Sequence, residues 1–293
     1  MLHIGRNIVS QEAVSLCLLT SLPGVTVAIV SDSFRKSGDI MKNQILNFIH
    51  SLGIEKCGIA HYRDKSAIVC LFPYYTGNRE GNLSLYARGT DYHQVIKEKL
   101  FPVCDFIREL SPDTDCEIFA DIGPEIDRRL AYEAGLGFYG KNQMLINDDF
   151  GSYFFIGYIL CDLVLEPDSP LDKTCIGCNR CTKCCPGCAL GENLDINKCA
   201  SHISQKKGDL TENEVAILKK STLIFGCDTC QMVCPHNKIA PKPMKEFTKD
   251  LIDTISLSDL EGISNREFMK KYKNRAFSWR GKSVLERNLK LIK

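Results

Sequence analysis

The sequence predicts an α/β (α+β) domain followed by a small cysteine-rich module of the bacterial ferredoxin type. Three observations carry this expectation. Helical and strand periodicities alternate from Met41 to about Pro167. Beyond Pro167 the texture turns to cysteine, glycine and lysine, which marks a boundary near residue 170. The stretch from Cys175 to Leu190 then packs six cysteines into sixteen residues.

The elements follow in order. "MKNQILNFIHSLG" from Met41 places Ile45, Phe48, Ile49 and Leu52 on one helical face, and "SAIVCLFPYY" reads as a buried strand ending at Pro73. "YHQVIKEKLFPVCDFIREL" returns to the helical period with Val95, Leu100, Val103 and Ile107. "CEIFAD" is a short strand, and "PEIDRRLAYEAG" a helix with Pro124 near its start and Gly135 past its end. "GSYFFIGYILCDLVL" is the next long strand. The expected organisation is an N-terminal extension over residues 1–40, a first domain over 41–170, the cysteine module over 171–245 and a basic helical segment over 246–293.

Composition narrows the class. With 293 residues, 44% hydrophobic and 25% charged, the chain can bury one large core and a smaller one. Sixteen cysteines bunched at ligand spacing, in a chain too large to need staples, point to a reducing cytoplasm rather than to a disulfide scaffold. The apolar run from Ala13 is broken by Pro23 and Gly24 and diluted by Ser and Thr, so neither a membrane span nor a strong signal peptide is expected. The net charge is only +1, yet from Arg266 onward ten Lys/Arg face only Glu267 and Glu286. That segment, with Phe268, Tyr272, Phe277 and Trp279 interleaved, is read either as a phosphate-binding surface or as a solvated helix face.

Cys175, Cys178, Cys181 and Cys185 with Pro186 form C-x2-C-x2-C-x3-C-P, in which three thiolates hold one [4Fe–4S] cluster and the fourth ligates another. "CDTCQMVCP" supplies Cys227, Cys230 and Cys234, but Ile224 stands where a further cysteine would be expected. Cys175, Cys178, Cys181 and Cys234 therefore complete one set, while Cys185, Cys227 and Cys230 need a fourth member. Cys199 is the preferred candidate, and Cys184 and Cys188 compete with it. Structural zinc is the rival reading, disfavoured because zinc ribbons lack the third close cysteine and the Cys-Pro endings. The remaining cysteines, Cys17, Cys57, Cys70, Cys104, Cys116 and Cys161, are read as buried hydrophobes.

Taken together, "GCDTCQMVCPHN", "DIGPEIDRRLAYEAGLGFYGKNQMLI", "FGSYFFIG" and "YARGTDYHQVIKEKL" resemble the epoxyqueuosine reductase family, the cobalamin-dependent iron–sulfur enzymes that complete queuosine in tRNA. The resemblance covers roughly residues 42 to 290. It implies that the first domain is a cobalamin-binding catalytic domain of the nitroreductase-like, cobalamin-processing type, and that two [4Fe–4S] clusters bind in the second. It supports Cys199 as the eighth ligand and matches Asp121 to the family's proton donor, ahead of Arg128. Read locally, Asp121 would instead cap a helix. The resemblance also places Asn142, Leu145, Ile156, Ser201 and Asp228 in stretches that line the corrinoid, and brings Arg88, Asp91, Tyr92 and His93 near the same site.

What the resemblance implies for partners is tRNA carrying epoxyqueuosine, a low-potential donor of the flavodoxin or ferredoxin type, no membrane, and a monomer in the cytoplasm. The chain is read as a short form of the family. Asp127-Arg128 replaces the usual Glu-Arg, the long helical insertion after "GIA" is missing, and the chain stops soon after "RGKSVLERNLKLIK". Two other readings follow from those departures: a corrinoid reductase of another small molecule, and an electron-transfer or corrinoid-carrier protein.

Overall fold

The computed structural model describes residues 39–238 and 242–292. The expected extension over residues 1–40, with its apolar run and Cys17, lies outside the described residues except for its last two positions. Among the described residues no helix is long and apolar enough to cross a membrane.

A helix over residues 39–51 (α1) leads into β1 (Lys56–Tyr62) and β2 (Lys65–Pro73). Then come α2 (Tyr92–Leu110), β3 (Cys116–Ala120), α3 (Asp127–Glu133), the short strands β4 (Phe138–Tyr139) and β5 (Leu145–Ile146), and β6 (Phe154–Cys161). The main sheet runs β1-β2-β6-β3, and every neighbouring pair is antiparallel. The alternation of helix and strand in the sequence therefore builds an α+β sheet, not a parallel one. The cause is local: β1 and β2 close a hairpin at Arg63-Asp64, with Arg63 at φ 57°, leaving no room for a crossover.

Strands β2 and β6 are central and covered on both faces, so β2 reads as an unbroken apolar run. Ile68, Cys70 and Phe72 face one core with α1 and α2, through Ile45, Ile49, Ile96 and Leu100. Ala67, Val69 and Leu71 face a second core with Leu130 and Ala131 of α3. Asp91 caps α2 by accepting the His93 backbone N–H at 3.0 Å. Cys70, Cys104 and Cys161 are buried and Cys57 and Cys116 half-buried, all within the first core. Burial pushes the Cys57 and Cys161 thiols up to about 12, which keeps them inert.

The cysteine-rich half carries α4 (Arg180–Cys184), α5 (Ala200–Ser204), α6 (Glu212–Ser221) and α7 (Thr229–Met232), and the C-terminal part α8 (Asn265–Lys271) and α9 (Lys282–Ile292). Capping boxes at Thr211/Glu214 and Ser264/Glu267 start α6 and α8. A further core joins Leu83 and Ala87 from the first half to Ile224 and Phe225 and to the C-terminal part.

That core corrects the expected aromatic surface. Phe268, Tyr272 and Phe277 belong to it, and among the four interleaved aromatics Trp279 is the exposed one. Phe268 in α8, Tyr272 one turn on at its C-cap and Phe277 in the 3-10 turn Ala276–Ser278 all turn inward. Several of the ten cations are likewise structural. Arg275 donates to the carbonyls of Arg88 and Asp250, and Arg287 to those of Lys206 and Gly208.

Candidate active site

The cysteine module docks on the sheet through the glycine-serine step before β6. Asn237 accepts the Ser152 N–H at 2.7 Å and returns an amide hydrogen bond to the Ser152 hydroxyl at 2.8 Å. Gly151 sits at φ 58°, and a Cβ there would stand 2.1 Å from Asn237 Oδ1, so the close approach needs glycine. Gln231 adds a bond to the Ser152 carbonyl at 2.8 Å. "FGSYFFIG" and "CPHN", distant in sequence, thus form one interface.

This docking encloses a cavity of about 670 Å³, open to solvent on one side. Its apolar walls come from Tyr74, Phe154, Phe155, Ile156 and Leu145, with Asn142, Ser201 and Gln231 as polar points. Four of the five residues expected to line a cofactor, Asn142, Leu145, Ile156 and Ser201, lie on it. Asp228 does not. Its buried carboxylate accepts the Ser84 hydroxyl and the Leu85 N–H at 2.8 Å, tying the loop before α2 to the cysteine module, and burial pushes its pKa up. The neighbours Cys227 and Thr229 reach the cavity instead.

The eight cysteines separate into two groups. Cys185, Cys199, Cys227 and Cys230 line the large cavity, and Cys175, Cys178, Cys181 and Cys234 line a small neighbouring cleft. Cys184 and Cys188, the competitors for the fourth position, are solvent-exposed and border neither cavity. Burial pushes Cys230 up first, and the thiols of Cys227, Cys199, Cys185 and Cys181 push it further. Cys234 rises for the same causes, burial and then Cys175, Cys181 and Cys178. Four clustered thiols cannot all ionise unless a cationic group shares their charge, so this donor set fits an iron–sulfur cluster in each place. Ala189 N–H donates to Cys185 Sγ at 3.3 Å, the kind of bond that tunes a cluster's potential. The short helices α4 and α7, which carry Cys181 of one group and Cys230 of the other, pack together, so the two groups adjoin, with the second opening onto the cavity.

Asp121, just after β3 and at φ 63°, lines the same cavity. It caps nothing: α3 begins six residues later, and its N-cap is Ile126, so the local reading of Asp121 as a cap fails. Pro124 lies outside that helix, which starts at Asp127. Tyr92 OH donates to Asp121 Oδ2 at 2.8 Å, and burial together with the Asp121 charge keeps the phenol protonated well above its ordinary range. The Asp121 carboxyl is 64% exposed at the cavity rim. His93 is held to Asp91 at 2.8 Å, which raises its pKa, and its other ring nitrogen stands 3.9 Å from Asp121. It belongs to the helix start. Arg88 is buried and bonds Leu83 O, Arg79 O and Asp253, a structural role.

Sequence reasoning missed Tyr74, Tyr86, Phe155 and Gln231 as cavity walls, because single aromatic and amide residues carry no spacing signal. It noted Asp127 only as a departure from the usual Glu-Arg pair, with no sign that its Oδ2 accepts the Asp121 backbone N–H at 2.7 Å. Burial pushes Asp127 up to about 6.

Comparison with known proteins fits this geometry. Residues 174–237 match a family described as a 4Fe-4S double cluster binding domain, and residues 61–122 one described as epoxyqueuosine reductase QueG. An epoxyqueuosine reductase of Lactococcus garvieae is 38% identical over 222 residues, covering 74% of this chain and 62% of that protein. One of Leadbetterella byssophila is 35% identical over 235 residues, covering 78% and 77%. A crystal structure of epoxyqueuosine reductase with an epoxyqueuosine-modified tRNA stem loop superposes with a TM-score of 0.74 at 28% identity, covering 86% of this chain and 80% of that one. The chain spans 62% and 56% of the lengths of the Lactococcus garvieae and Bacillus cereus relatives. With a double-cluster domain and a matched first domain in this order, and with 77% of the Leadbetterella byssophila protein covered at 35% identity, the chain belongs to the epoxyqueuosine reductase family.

Proposed function

We propose that this chain reduces the epoxide of epoxyqueuosine in tRNA to give queuosine, with a corrinoid bound in the large cavity. The observation that carries the reading is the cavity itself, which Cys185, Cys199, Cys227 and Cys230 line together with Asp121. Electrons and a proton can therefore be delivered to one space. The broad apolar walls and the polar points Asn142, Ser201 and Gln231 fit a flat macrocycle whose edge amides need partners.

The balance is simple: an epoxide takes up two electrons and two protons, loses its oxygen as water and leaves a carbon–carbon double bond. The corrinoid would supply a cobalt of low potential to carry the electron pair. The protein does the rest. Cys175, Cys178, Cys181 and Cys234 would hold one cluster and Cys185, Cys199, Cys227 and Cys230 the other beside the cavity, and such clusters would supply electrons drawn from a flavodoxin- or ferredoxin-type donor. Asp121, hydrogen-bonded by Tyr92, would give a proton to the oxygen as the ring opens; general acid catalysis of this kind is worth about 10²–10⁴ in rate. Solvent access at the rim lets Asp121 recover its proton. The reaction suits a monomer in the reducing cytoplasm.

The test is anaerobic reconstitution with iron, sulfide and cobalamin, then incubation with epoxyqueuosine-containing tRNA and a low-potential reductant. Nucleoside mass should show the loss of one oxygen atom. Unchanged tRNA from protein with both clusters and corrinoid in place would overturn the assignment.

A further inference from the structure

The Asp121 segment has little to hold it. Asp121 and its neighbours Ile122, Gly123 and Pro124 are exposed, and Ile122 is 81% exposed, so apolar burial does not anchor the turn. Asp121 occupies the left-handed region at φ 63°, where an L-residue needs compensation. Part of that comes from the turn, in which Ile122 N–H donates to Ala120 O at 2.7 Å. Gly123 lies so close to Tyr158 that an added Cβ would meet the phenolic oxygen at 1.9 Å.

Tyr62 and Tyr158 donate from their hydroxyls to the carbonyls of Pro124 at 3.3 Å and Glu125 at 3.5 Å, and Tyr92 holds the Asp121 carboxylate at 2.8 Å, but the tie to the Asp121 backbone N–H is Asp127. It starts α3, which is anchored by Leu130 and Ala131 in the second core, and its Oδ2 accepts the Asp121 N–H at 2.7 Å. Its other oxygen, Oδ1, is buried and has no hydrogen-bond partner among the described residues. A half-satisfied buried carboxyl is a poor choice for helix stability alone. The one strong bond it makes is to the residue that carries the acid.

We propose that Asp127 is a positioning residue, a clamp that fixes the Asp121 backbone to α3 so that the Asp121 carboxyl stays on the cavity rim. This rests on the reading of Asp121 as proton donor. The bare alternative is an acid in the first turn that favours its helix through the dipole, with no hold on the turn before it.

The test is hydrogen–deuterium exchange of residues 119–126, together with turnover of epoxyqueuosine-tRNA, in wild type, Asp127→Ala, Asp127→Ser and Asp127→Asn. Serine suits a helix start but is too short to reach the Asp121 N–H, so it separates the clamp from folding. Loss of one hydrogen bond should raise exchange at the Asp121 amide about ten-fold in the Ala and Ser variants. Turnover should fall by a similar factor with KM nearly constant, and Asn, whose amide oxygen still accepts, should recover most of both.

Unchanged exchange in folded Asp127→Ser overturns the clamp. Raised exchange with undiminished turnover, while Asp121→Asn is inactive, overturns the positioning role. Raised exchange with a fully active Asp121→Asn keeps the clamp and removes the donor reading instead, so the two failures are distinct.

Discussion

Asp127 carries a charge in a place that resists charge. Burial moves its pKa from the ordinary carboxylate range to about 6, against the pull of Arg128 and with the Asp121 charge adding to the rise. The sign follows from linkage: the folded state keeps the proton where the unfolded chain has lost it, so stability falls as pH rises from about 4 through about 6. Asp127→Asn removes that cost while keeping the acceptor. Its stability relative to wild type should grow by about 1 kcal/mol from pH 5 to pH 8, read from denaturant midpoints of the anaerobic holoprotein. A difference that stays flat with pH would show that the carboxyl is not held in a charge-averse site. At this scale the sequence was partly legible. The family resemblance singled out Asp121 ahead of Arg128, which spacing alone would have read as a helix cap, whereas Asp127 and Tyr92 act through two hydrogen bonds to Asp121, itself at φ 63°, that no spacing encodes.

Among the elements, the cysteine spacing gave most of the candidate ligand set because three close cysteines on one turn constrain each other locally. The fourth partner of Cys185, Cys227 and Cys230 was not fixed by spacing. Cys199 stands between a 3-10 turn (Ile196–Lys198) and α5, on the cavity wall, while Cys184 ends α4 and is exposed. Cys199→Ser should therefore retain about half of the roughly eight irons expected for two cubanes, and Cys184→Ser all of them. Iron and acid-labile sulfide per chain would check this, and equal losses in the two variants would contradict it. The identity of β2, β3 and β6 was also legible, β2 because it is apolar throughout and central, whereas β1 was not read as a strand. The antiparallel order was not, because a two-residue hairpin and a long crossover can follow the same apolar run.

On the scale of the whole molecule, the basic C-terminal segment is first a piece of the core. Removing it would strip Phe268, Phe277 and Leu285 from the cluster that also holds Leu83 and Phe225. Its exposed cations are a better probe of tRNA contact. Lys270, Lys271 and Lys273 are exposed, and their joint change to Glu leaves every core residue in place. If they meet phosphate, tRNA affinity should drop and the slope of log affinity against log salt should shrink by roughly 2 to 3. An unchanged slope would assign the lysines to solvent. Composition alone could not separate the two roles, because Arg275 and Arg287 count as charge in the sequence but serve as donors to carbonyls in the fold.

The central claim is that one cavity joins reducing equivalents from the cysteine side to a proton from Asp121. Single-turnover conversion of epoxyqueuosine-tRNA by reconstituted wild type and Asp121→Asn, with iron and corrinoid content matched, tests it most directly. The account predicts conversion by wild type and a rate about 10²–10⁴ lower in the variant, at unchanged cofactor content. Equal rates in the two proteins would contradict it.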